Sequence, residues 1–403
     1  MDQVDPAAVY DPADAGRGHG HPCLLSFLVL KGSSLMQIKQ ITVYGVRLPL
    51  KQPFKIAYDT YEDIESILVR IQSTSGETGW GEAVVDQHVS GETWQSARQI
   101  ITRELAPLLL GRTLDGIAPF HKAAEARIRH SPSAKAALDI ALHDLLARHC
   151  KVPLYSLLGG RCHARLELPC VISMLAPEEM ARQAREACAR GYGSIKIKLG
   201  DAPEQDIERI ARVREAMAPG VALRVDANQG WSAKQALQVI RQAAPYRVEW
   251  FEQPVSIENL DALTRVTQAT EALIMADEPI HGVRDMLEVV RRQAADMVNI
   301  KLMKSGGLHA ARAMAELGLA ADIPCQIGSM VESSVATLAG AHLALAHSNI
   351  VANDLVGPAM ISRDVADMPG SETHIELSGA PGLGIRVDEE RVRAMSAFED
   401  RVD

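Results

Sequence analysis

The sequence lacks the features that indicate a membrane span, an export signal or a paired-thiol site. The best apolar stretch near the N-terminus, Leu24 to Leu30, has about a third of the roughly 20 residues that a spanning helix needs. Asp and His outnumber the single basic residue, Arg17, before that stretch, which is unlike a signal peptide. The six cysteines include no CxxC pair. Such scattered thiols are typical of reduced proteins, so we expect a cytoplasmic location and no membrane partner.

Clusters of basic residues are also missing. The formal net charge is -9, and no run of Lys or Arg interrupts it. We therefore expect no nucleic-acid partner. Hydrophobic residues make up 47% of the chain and charged residues 23%, which indicates a soluble globular protein. The length of 403 residues is large for one core and predicts two domains.

The first part of the chain divides into two stretches. Residues 1–35 are rich in Asp, Gly, Pro and His without a sustained period. We interpret them as a disordered or mis-assigned extension, with Met36 as the natural start. Residues 36–163 show strand patterns followed by helical patterns, which predicts an α+β domain.

The second part alternates strands and helices. Over residues 164–363 this alternation predicts a parallel (β/α) barrel. A doubly wound open sheet is the alternative, but no GxGxxG follows the first strand. In residues 364–403, the stretch Pro381 to Val387 predicts a turn and a closing strand, and we expect this tail to return to the first domain. The eight predicted barrel strands lie at 171–174, 194–198, 223–226, 248–252, 273–277, 298–301, 325–328 and 350–354.

Polar residues stand at the ends of five successive barrel strands, about one β-α unit apart. Barrel strands all point the same way, so these positions converge at one rim. For a single residue, a solvated charge at the start of a loop is an equally good interpretation; for a series in register it is a poor one. The series consists of Lys196 and Lys198, Asp226, Glu252, Asp277 and Lys301.

The residue types indicate the chemistry. Three ionised carboxylates would repel one another without a cation, and hard oxygen ligands suit Mg²⁺, with Mn²⁺ as a substitute. A lysine beside a divalent cation and a second ammonium has its charged form disfavoured, so it can act as a general base. Metal and base together are what removal of a proton next to a carboxylate requires. We therefore expect a small-molecule carboxylate as substrate.

These segments resemble the enolase superfamily in its muconate-lactonizing subgroup, from Met36 to about Val392. The resemblance implies a (β/α)7β TIM barrel covered by an α+β capping domain. The segments that carry it are Lys196-Ile-Lys198, Asp226-Ala-Asn-Gln, Glu252-Gln-Pro, Asp277-Glu-Pro and Asn299-Ile-Lys301-Leu-Met-Lys-Ser-Gly-Gly.

The resemblance also implies residue roles. Lys198 and Lys301 would be the two acid/base catalysts, and Lys196 would help to hold the substrate carboxylate. Loops of the capping domain, Pro53–Glu62 and Asp86–Trp94, would select the substrate. The metal ligands would be Asp226, Glu252 and Asp277, supported by Asn228, Gln253 and Glu278.

Within the subgroup, several stretches look like dipeptide epimerases and N-succinyl-amino-acid racemases, in particular the type that acts on N-succinylated basic amino acids. Dipeptide epimerases typically carry Asp-x-Asp after the eighth strand, where the second Asp binds the substrate's α-ammonium. Here the stretch is Asp354-Leu-Val356. Val356 cannot hold a cation, which favours an uncharged N-acyl group.

Other residues are candidates for substrate contacts. The succinyl carboxylate would need a donor, for which the capping loops offer Lys55, Tyr58 and Tyr61. Asp354 and Glu332 are expected to face the pocket, although a helix cap or a loop hydrogen bond explains either one equally well.

Three functions stay open. The first is a racemase or epimerase, either of N-succinyl amino acids or of dipeptides of the L-Ala-D/L-Glu type. The second is a lyase, meaning a cycloisomerase or a dehydratase, and the third is a non-catalytic binding protein. The resemblance implies a homo-oligomer.

Overall fold

The computed structural model describes residues 36–57, 59–114 and 116–403. The interpretation of residues 1–35 and the expectation for Tyr58 therefore lie outside the described residues. Within them, no helix is both long and apolar enough to cross a membrane.

Strands and helices alternate through most of the described chain. The strands are β1 Ile38–Lys55, β2 Thr60–Ser73, β3 Thr78–Val84, β4 Leu166–Glu167, β5 Cys170–Ile172, β6 Ser194–Lys198, β7 Ala222–Asp226, β8 Val248–Glu252, β9 Ile274–Ala276, β10 Met297–Lys301, β11 Cys325–Gly328, β12 Ile350–Asn353, β13 His374–Ile375 and β14 Ser396–Val402. The helices are α1 Trp94–Gln99, α2 Ala118–Arg127, α3 Pro132–His149, α4 Leu154–Leu157, α5 Pro177–Ala189, α6 Pro203–Ala216, α7 Ala233–Ala243, α8 Leu260–Gln268, α9 Val283–Arg292, α10 Leu302–Ser305, α11 Leu308–Ala320, α12 Ser334–Ala346, α13 Gly357–Met360 and α14 Glu389–Met395.

The first sheet is antiparallel, with strand order β14-β1-β2-β3. Helix α3 covers one face of it, and two glycines of β3 permit the close approach. A Cβ on Gly81 would lie 1.9 Å from the carbonyl oxygen of Ala137, and one on Gly79 would lie 2.2 Å from that of Ala141. Any larger residue at these two positions would push the helix off the sheet.

The second sheet is parallel and consists of eight strands in chain order, from β5 to β12. A doubly wound sheet would reverse its strand order, so that alternative is wrong and the barrel prediction is confirmed. The helices between the strands bury their apolar faces on the sheet. Helix α7, for example, begins with a capping box between Ser232 and Gln235 and buries Ala236, Val239 and Ile240.

The stretch 381–387 forms the predicted turn, but the closing strand predicted with it is wrong. Gly382 and Gly384 adopt φ angles of 71° and 76°, so the backbone turns there instead of extending. Gly382 is held in this turn because its N–H donates to Val152 and its carbonyl accepts from Leu154. The chain's last strand is β14, which pairs with β1.

Buried carboxylates of the first sheet and its helices cap the barrel helices. Glu82 of β3 accepts hydrogen bonds from the backbone of Ser333 and Ala336, at 2.9 and 3.0 Å, at the start of α12. Asp139 of α3 accepts from the N–H of Leu308, the first residue of α11, at 2.5 Å. Negative charge at a helix N-terminus is favourable, so these contacts fix α11 and α12 against the capping sheet.

Candidate active site

Parallel register places the polar strand ends side by side. Lys198 of β6 lies opposite Asp226 of β7, and Asp226 lies opposite Glu252 of β8. Asp277 directly follows β9, and Lys301 ends β10. Because the strands run in one direction, these five side chains meet at one end of the sheet, where the sequence predicted them.

The backbone just beyond the strands is strained at this end. Asn228, Gln253 and Val331 adopt left-handed φ angles of 39°, 35° and 65°. Such angles are unfavourable for residues other than glycine and are most costly for a β-branched residue such as Val331. Two glycines relieve crowding nearby, since a Cβ on Gly230 would lie 2.3 Å from the Cα of Gly200.

Lys196 lies at the centre of a buried ion network. Its Nζ is 2.7 Å from Glu252 Oε2 and 3.0 Å from Asp226 Oδ2, and it also donates to Asp354. Burial lowers the pKa of Lys196, but the charges of Asp226, Asp354 and Glu252 outweigh burial and raise it well above the ordinary value. Lys196 therefore stays charged and holds three carboxylates together, and its contact with the substrate carboxylate stays a prediction.

Two side-chain amides, which the sequence did not indicate as site residues, complete the hydrogen bonds of Glu252. Asn299 Nδ2 donates to Glu252 Oε1 at 2.9 Å, and Gln326 Nε2 lies 3.4 Å from Oε2 and 3.1 Å from Asp354 Oδ2. Burial, and then the charge of Asp226, raise the pKa of Glu252 to about 8. Asn299 begins the motif that contains Lys301, but neither amide gave a sequence signal of its own.

A second ion network surrounds Asp277. Lys301 Nζ lies 2.8 Å from Asp277 Oδ2, and Lys304 Nζ lies 2.5 Å from Asp277 Oδ1. Lys304 is fully buried in the short helix α10 and also donates to the backbone carbonyl of Asp277. Burial lowers the pKa of Lys301, but the charges of Asp277, Glu278 and Glu252 outweigh it and raise this pKa. The sequence reasoning missed Lys304, which lies three residues after Lys301.

Both predicted catalytic lysines line a cavity of about 210 Å³ between the barrel end and the strands β2 and β3. Lys198 pairs with Asp226 at 2.7 Å, and its Nζ lies 6.0 Å from the ring centre of Phe54. The residues lining the cavity are Phe54, Ile56, Tyr61, Asp63, Ile64, Glu65, Val84, Val85, Asp86, Gln87, Val89, Lys198, Asn228, Glu278, Lys301, Ser329, Met330 and Val331.

Several predicted residues lie outside this lining. Lys196, Asp354 and Glu332 are buried behind it. Glu332 Oε1 accepts from the N–H of Met330 at 3.3 Å, and burial, with a smaller effect of the Glu82 charge, raises the pKa of Glu332 to about 8. The loop hydrogen bond that competed with substrate contact is thus present for Glu332.

The candidate donors for a succinyl carboxylate do not all line the same cavity. Tyr61 lines the cavity and donates to Asp86 Oδ2 at 2.8 Å, whereas Lys55 is not part of the lining. Val356 lines a larger neighbouring cavity, which shares Phe54 with the first and also contains Lys51.

The supporting residues contact the predicted ligands or each other. Gln253 Oε1 accepts from the N–H of Asp277 at 2.9 Å, and its Nε2 donates to Val255 O at 2.8 Å. Asn228 donates from Nδ2 to Glu278 Oε1 at 3.1 Å, and its N–H donates to Asp226 Oδ1 at 2.9 Å. These bonds orient the predicted metal ligands.

The oxygen atoms of this region are of the chemical type that a hard divalent cation prefers. Asn228 Oδ1, Glu278 Oε2 and Asp277 Oδ2 are buried without a hydrogen-bond partner, although Asp277 Oδ2 has its ion-pair contact with Lys301. Within the described residues, no group of three His, Cys, Asp or Glu side chains is arranged to hold an ion. Lysine ammonium groups lie between the carboxylates instead. Carboxylate and amide oxygens remain the ligands that Mg²⁺ prefers.

Two family profiles match most of the chain. Residues 38–159 match the mandelate racemase / muconate lactonizing enzyme N-terminal domain, and residues 179–391 match the enolase C-terminal domain-like family. The chain therefore belongs to the mandelate racemase / muconate lactonizing enzyme family of the enolase superfamily, which confirms the resemblance seen in the motifs.

Individual relatives indicate which enzymes within this family the chain is similar to. The N-succinyl-L-Arg/Lys racemase of Bacillus cereus is 38% identical over 368 residues, 91% of this chain and 100% of the relative, and its crystal structure matches with a TM-score of 0.90. The L-Ala-D/L-Glu epimerase of Bacillus subtilis is 39% identical over 355 residues, 87% of this chain and 97% of the relative.

A third relative was crystallised with a metal. The dipeptide epimerase from Cytophaga hutchinsonii, complexed with Mg and the dipeptide D-Ala-L-Val, is 32% identical, covers 91% of this chain and 100% of its own, and matches with a TM-score of 0.87. Together these relatives show that the chain is an isomerase of the racemase and epimerase kind.

Proposed function

We propose that this protein is a Mg²⁺-dependent racemase that moves the α-proton of an N-acyl amino acid, most simply an N-succinyl amino acid, between two lysines. The observation that carries the proposal is the shared cavity of Lys198 and Lys301, in which each lysine pairs with a different carboxylate. Two separately held lysines can serve opposite faces of one α-carbon.

The metal would be held by Asp226, Glu252 and Asp277. When bound, the cation supplies positive charge that lowers the cost of the negative charge created as the α-proton leaves. The buried ammonium groups of Lys196 and Lys304 favour the ionised forms of Asp226 and Asp277, because Lys196 Nζ lies 3.0 Å from Asp226 Oδ2 and Lys304 Nζ lies 2.5 Å from Asp277 Oδ1.

The proton transfer belongs to the two cavity lysines. One lysine accepts the α-proton as a neutral amine, and the other donates a proton to the opposite face as an ammonium. For Lys301 the neutral form requires that a cation held by Asp277 and Glu252 offset the carboxylate charges that otherwise raise its pKa. Repeating the sequence with the roles exchanged converts the second enantiomer back. General acid/base groups of this kind contribute about 10²- to 10⁴-fold to a rate.

Val356 supports an N-acyl group over a free amine. It is buried and uncharged in the cavity that adjoins the lysines at Phe54. Burying an ammonium without a partner there would cost on the order of several kcal/mol. Epimerisation of free dipeptides is the alternative, since relatives with that activity are as similar as the N-succinyl racemase.

The test compares N-succinyl amino acids with dipeptides of the same side chain in D₂O, with mass and optical rotation as readouts. We expect both enantiomers of the N-succinyl compounds to gain deuterium, and a chelator to stop this. A dehydrated or cyclised product without deuterium uptake would establish a lyase instead.

A variant sharpens the choice between the two substrate classes. Val356→Asp should shift kcat/KM toward dipeptides, whereas Val351→Asp, an exposed position on β12, should leave it unchanged. Equal or better wild-type efficiency on dipeptides would contradict the N-acyl assignment.

A further inference from the structure

Histidines from three different helices surround one buried carboxylate. Asp139 of α3 is fully buried, and its Oδ1 lies 2.6 Å from Nε2 of His121 in α2. His143, one turn further along α3, has its Nδ1 2.8 Å from the Asp139 carbonyl oxygen and 3.3 Å from Asp139 Oδ2. The ring of His309 in α11 stacks on that of His121, with the ring centres 4.6 Å apart. We call Asp139, His121, His143 and His309 the histidine joint.

The histidine joint connects α2 and α3 to the start of α11. Asp139 accepts from the N–H of Leu308 at 2.5 Å and from the N–H of His309 at 3.4 Å, so it caps the N-terminus of this helix. Gly307 permits the approach, since a Cβ there would lie 2.3 Å from Asp139 Oδ2. The carboxylate therefore contacts the α11 backbone directly, in a space that a side chain would fill.

Helix α11 begins close to a predicted catalytic lysine. The short helix α10 directly follows Lys301 and carries Lys304. Only Gly306 and Gly307 separate α10 from α11. Helix α3 contacts α10 as well, because Ser133 Oγ donates to a backbone carbonyl of α10 at 3.3 Å. A movement of α11 away from α3 would therefore reach the segment that contains both lysines.

The charged neighbours of the joint already have partners. Arg312 of α11 pairs with Glu316 at 2.8 Å, and Lys135 of α3 pairs with Glu125 of α2 at 2.5 Å. Among the described residues, the only carboxylate that the imidazoles of the joint contact is that of Asp139. One negative charge thus faces three groups that can each become positive.

The pKa shifts in the joint have opposite directions. Burial lowers the pKa of His143, but the charge of Asp139 outweighs burial and raises it, so the stability that His143 contributes is complete below pH 6.5. Partial burial of its ring, and then the charge of His121, lower the pKa of His309. The unfolded chain protonates His309 near pH 6.5 and the folded chain only at lower pH. The stability from His309 is therefore complete above pH 6.5 and is lost as the pH falls.

We propose that the histidine joint is a pH-sensitive contact, which holds the N-terminus of α11 on Asp139 in neutral solution and weakens on acidification. A second imidazolium, formed in acid, lies at the positive end of the α11 dipole, close to Arg312 and to the first imidazolium. These like charges repel one another while Asp139 can balance only one of them. The first turn of α11 then frays, and α10 loses its support beside Lys301.

Hydrogen exchange of the full chain in the presence of Mg²⁺ tests the proposal without turnover, so the outcome does not depend on the proposed function. Protection of a peptide covering residues 302–312 is measured at about pH 7.5 and about pH 5.5, on either side of the ordinary histidine pKa. Each rate is divided by that of the same peptide in the urea-unfolded chain, which removes the intrinsic pH dependence of exchange. The start of α7 is an internal control, because its cap consists of the uncharged Ser232 and Gln235.

The test variant carries His121→Gln and His309→Gln. It removes two proton sites, and the amide of the glutamine at 121 can donate to Asp139 in place of Nε2. The matched control is His149→Gln, because His149 also lies on α3 and pairs with a carboxylate, Glu77, at 3.0 Å. If the double variant does not fold, His309→Gln alone gives the same comparison, since the side chain of His309 is exposed.

We expect the wild type and His149→Gln to lose about two- to fivefold in the protection of residues 302–312 at the lower pH, the effect of one unfavourable charge at a helix N-terminus. The double variant should show no loss. Equal protection of the wild type at both pH values would overturn the inference. A loss that the double variant shares would also overturn it, because another group would then be responsible. Low protection of the double variant at both pH values would do the same, because the imidazoles would then be structural donors only.

Discussion

The two sides of the cavity hold their charges in different ways. On the barrel side, the buried Lys196 contacts Glu252, and the buried Lys304 contacts Asp277. On the capping side, the side chains of Asp63 and Glu65 are 42% and 32% exposed and contact an exposed arginine. The barrel side is therefore a fixed network in which each charge depends on its neighbours. On the capping side, the charges of Asp63 and Glu65 can be removed at little cost to stability.

The free energies that buried and exposed ion pairs contribute to stability differ accordingly. Removing one partner from a buried ion pair costs about 3–5 kcal/mol, because the other charge is left uncompensated. An exposed ion pair contributes about 0–1 kcal/mol. Changes on the barrel side should thus affect folding and chemistry together, whereas changes at Asp63 and Glu65 should leave folding nearly unaffected.

Lys304→Met should produce the largest loss of stability. It leaves Asp277 Oδ1 and the Asp277 carbonyl without their buried donor. We expect the free energy of unfolding, measured with urea in chelator, to fall by about 3–5 kcal/mol. Lys122→Met, at an exposed position of α2, is the control. A change below about 1 kcal/mol would mean that the barrel network is no more coupled than a surface pair.

A buried histidine tests whether placing a charge deep in the barrel layer lowers the stability of the fold. Burial lowers the pKa of His342 in α12 from 6.5 to about 4, and its Nδ1 accepts from the N–H of Tyr155 at 3.1 Å. The unfolded chain binds this proton below pH 6.5 and the folded chain does not, so stability is complete above pH 6.5 and falls as the pH drops toward 4.

The loss at pH 4 should be about 3 kcal/mol, from 1.36 kcal/mol for each unit of pKa difference. His342→Gln should flatten the dependence of the unfolding free energy on pH between 6.5 and 4, and His374→Gln should not. An unchanged slope in the His342 variant would show that other groups cause it.

Arg47→Gln should have the smallest effect on stability. Its side chain is 56% exposed and contacts Glu65, Asp63 and the ring of Trp94. We expect the free energy of unfolding to change by less than about 1 kcal/mol in urea. Losing more than twice that amount would show that Asp63 and Glu65 belong to a structural network and would remove the contrast between the two sides.

The sequence predicted the elements that repeat. Asp226, Glu252 and Lys301 end strands of a regular β-α series, so their convergence followed from direction and spacing alone. The tail had no such repeat. The stretch 381–387 contains the predicted turn without the predicted strand, and β14 lies later in the chain.

Long-range contacts were beyond prediction for a physical reason. Lys196 and Asp354 are 158 residues apart, and Lys304 and Asp277 are 27 residues apart. Nothing in the local pattern indicates which carboxylate a buried lysine will contact. The carboxylates on the capping side likewise depend on strand pairing, because Asp63 and Asp86 line the same cavity only when β2 and β3 pair.

The most direct test of the two-lysine proposal is deuterium exchange by single-lysine variants. Lys198→Ala and Lys301→Ala are each incubated in D₂O with each enantiomer of an N-succinyl amino acid, and α-deuterium is followed by mass. We expect that neither variant racemises the substrate and that each exchanges one enantiomer, with opposite preferences. Exchange of both enantiomers at the wild-type rate by either variant would contradict it.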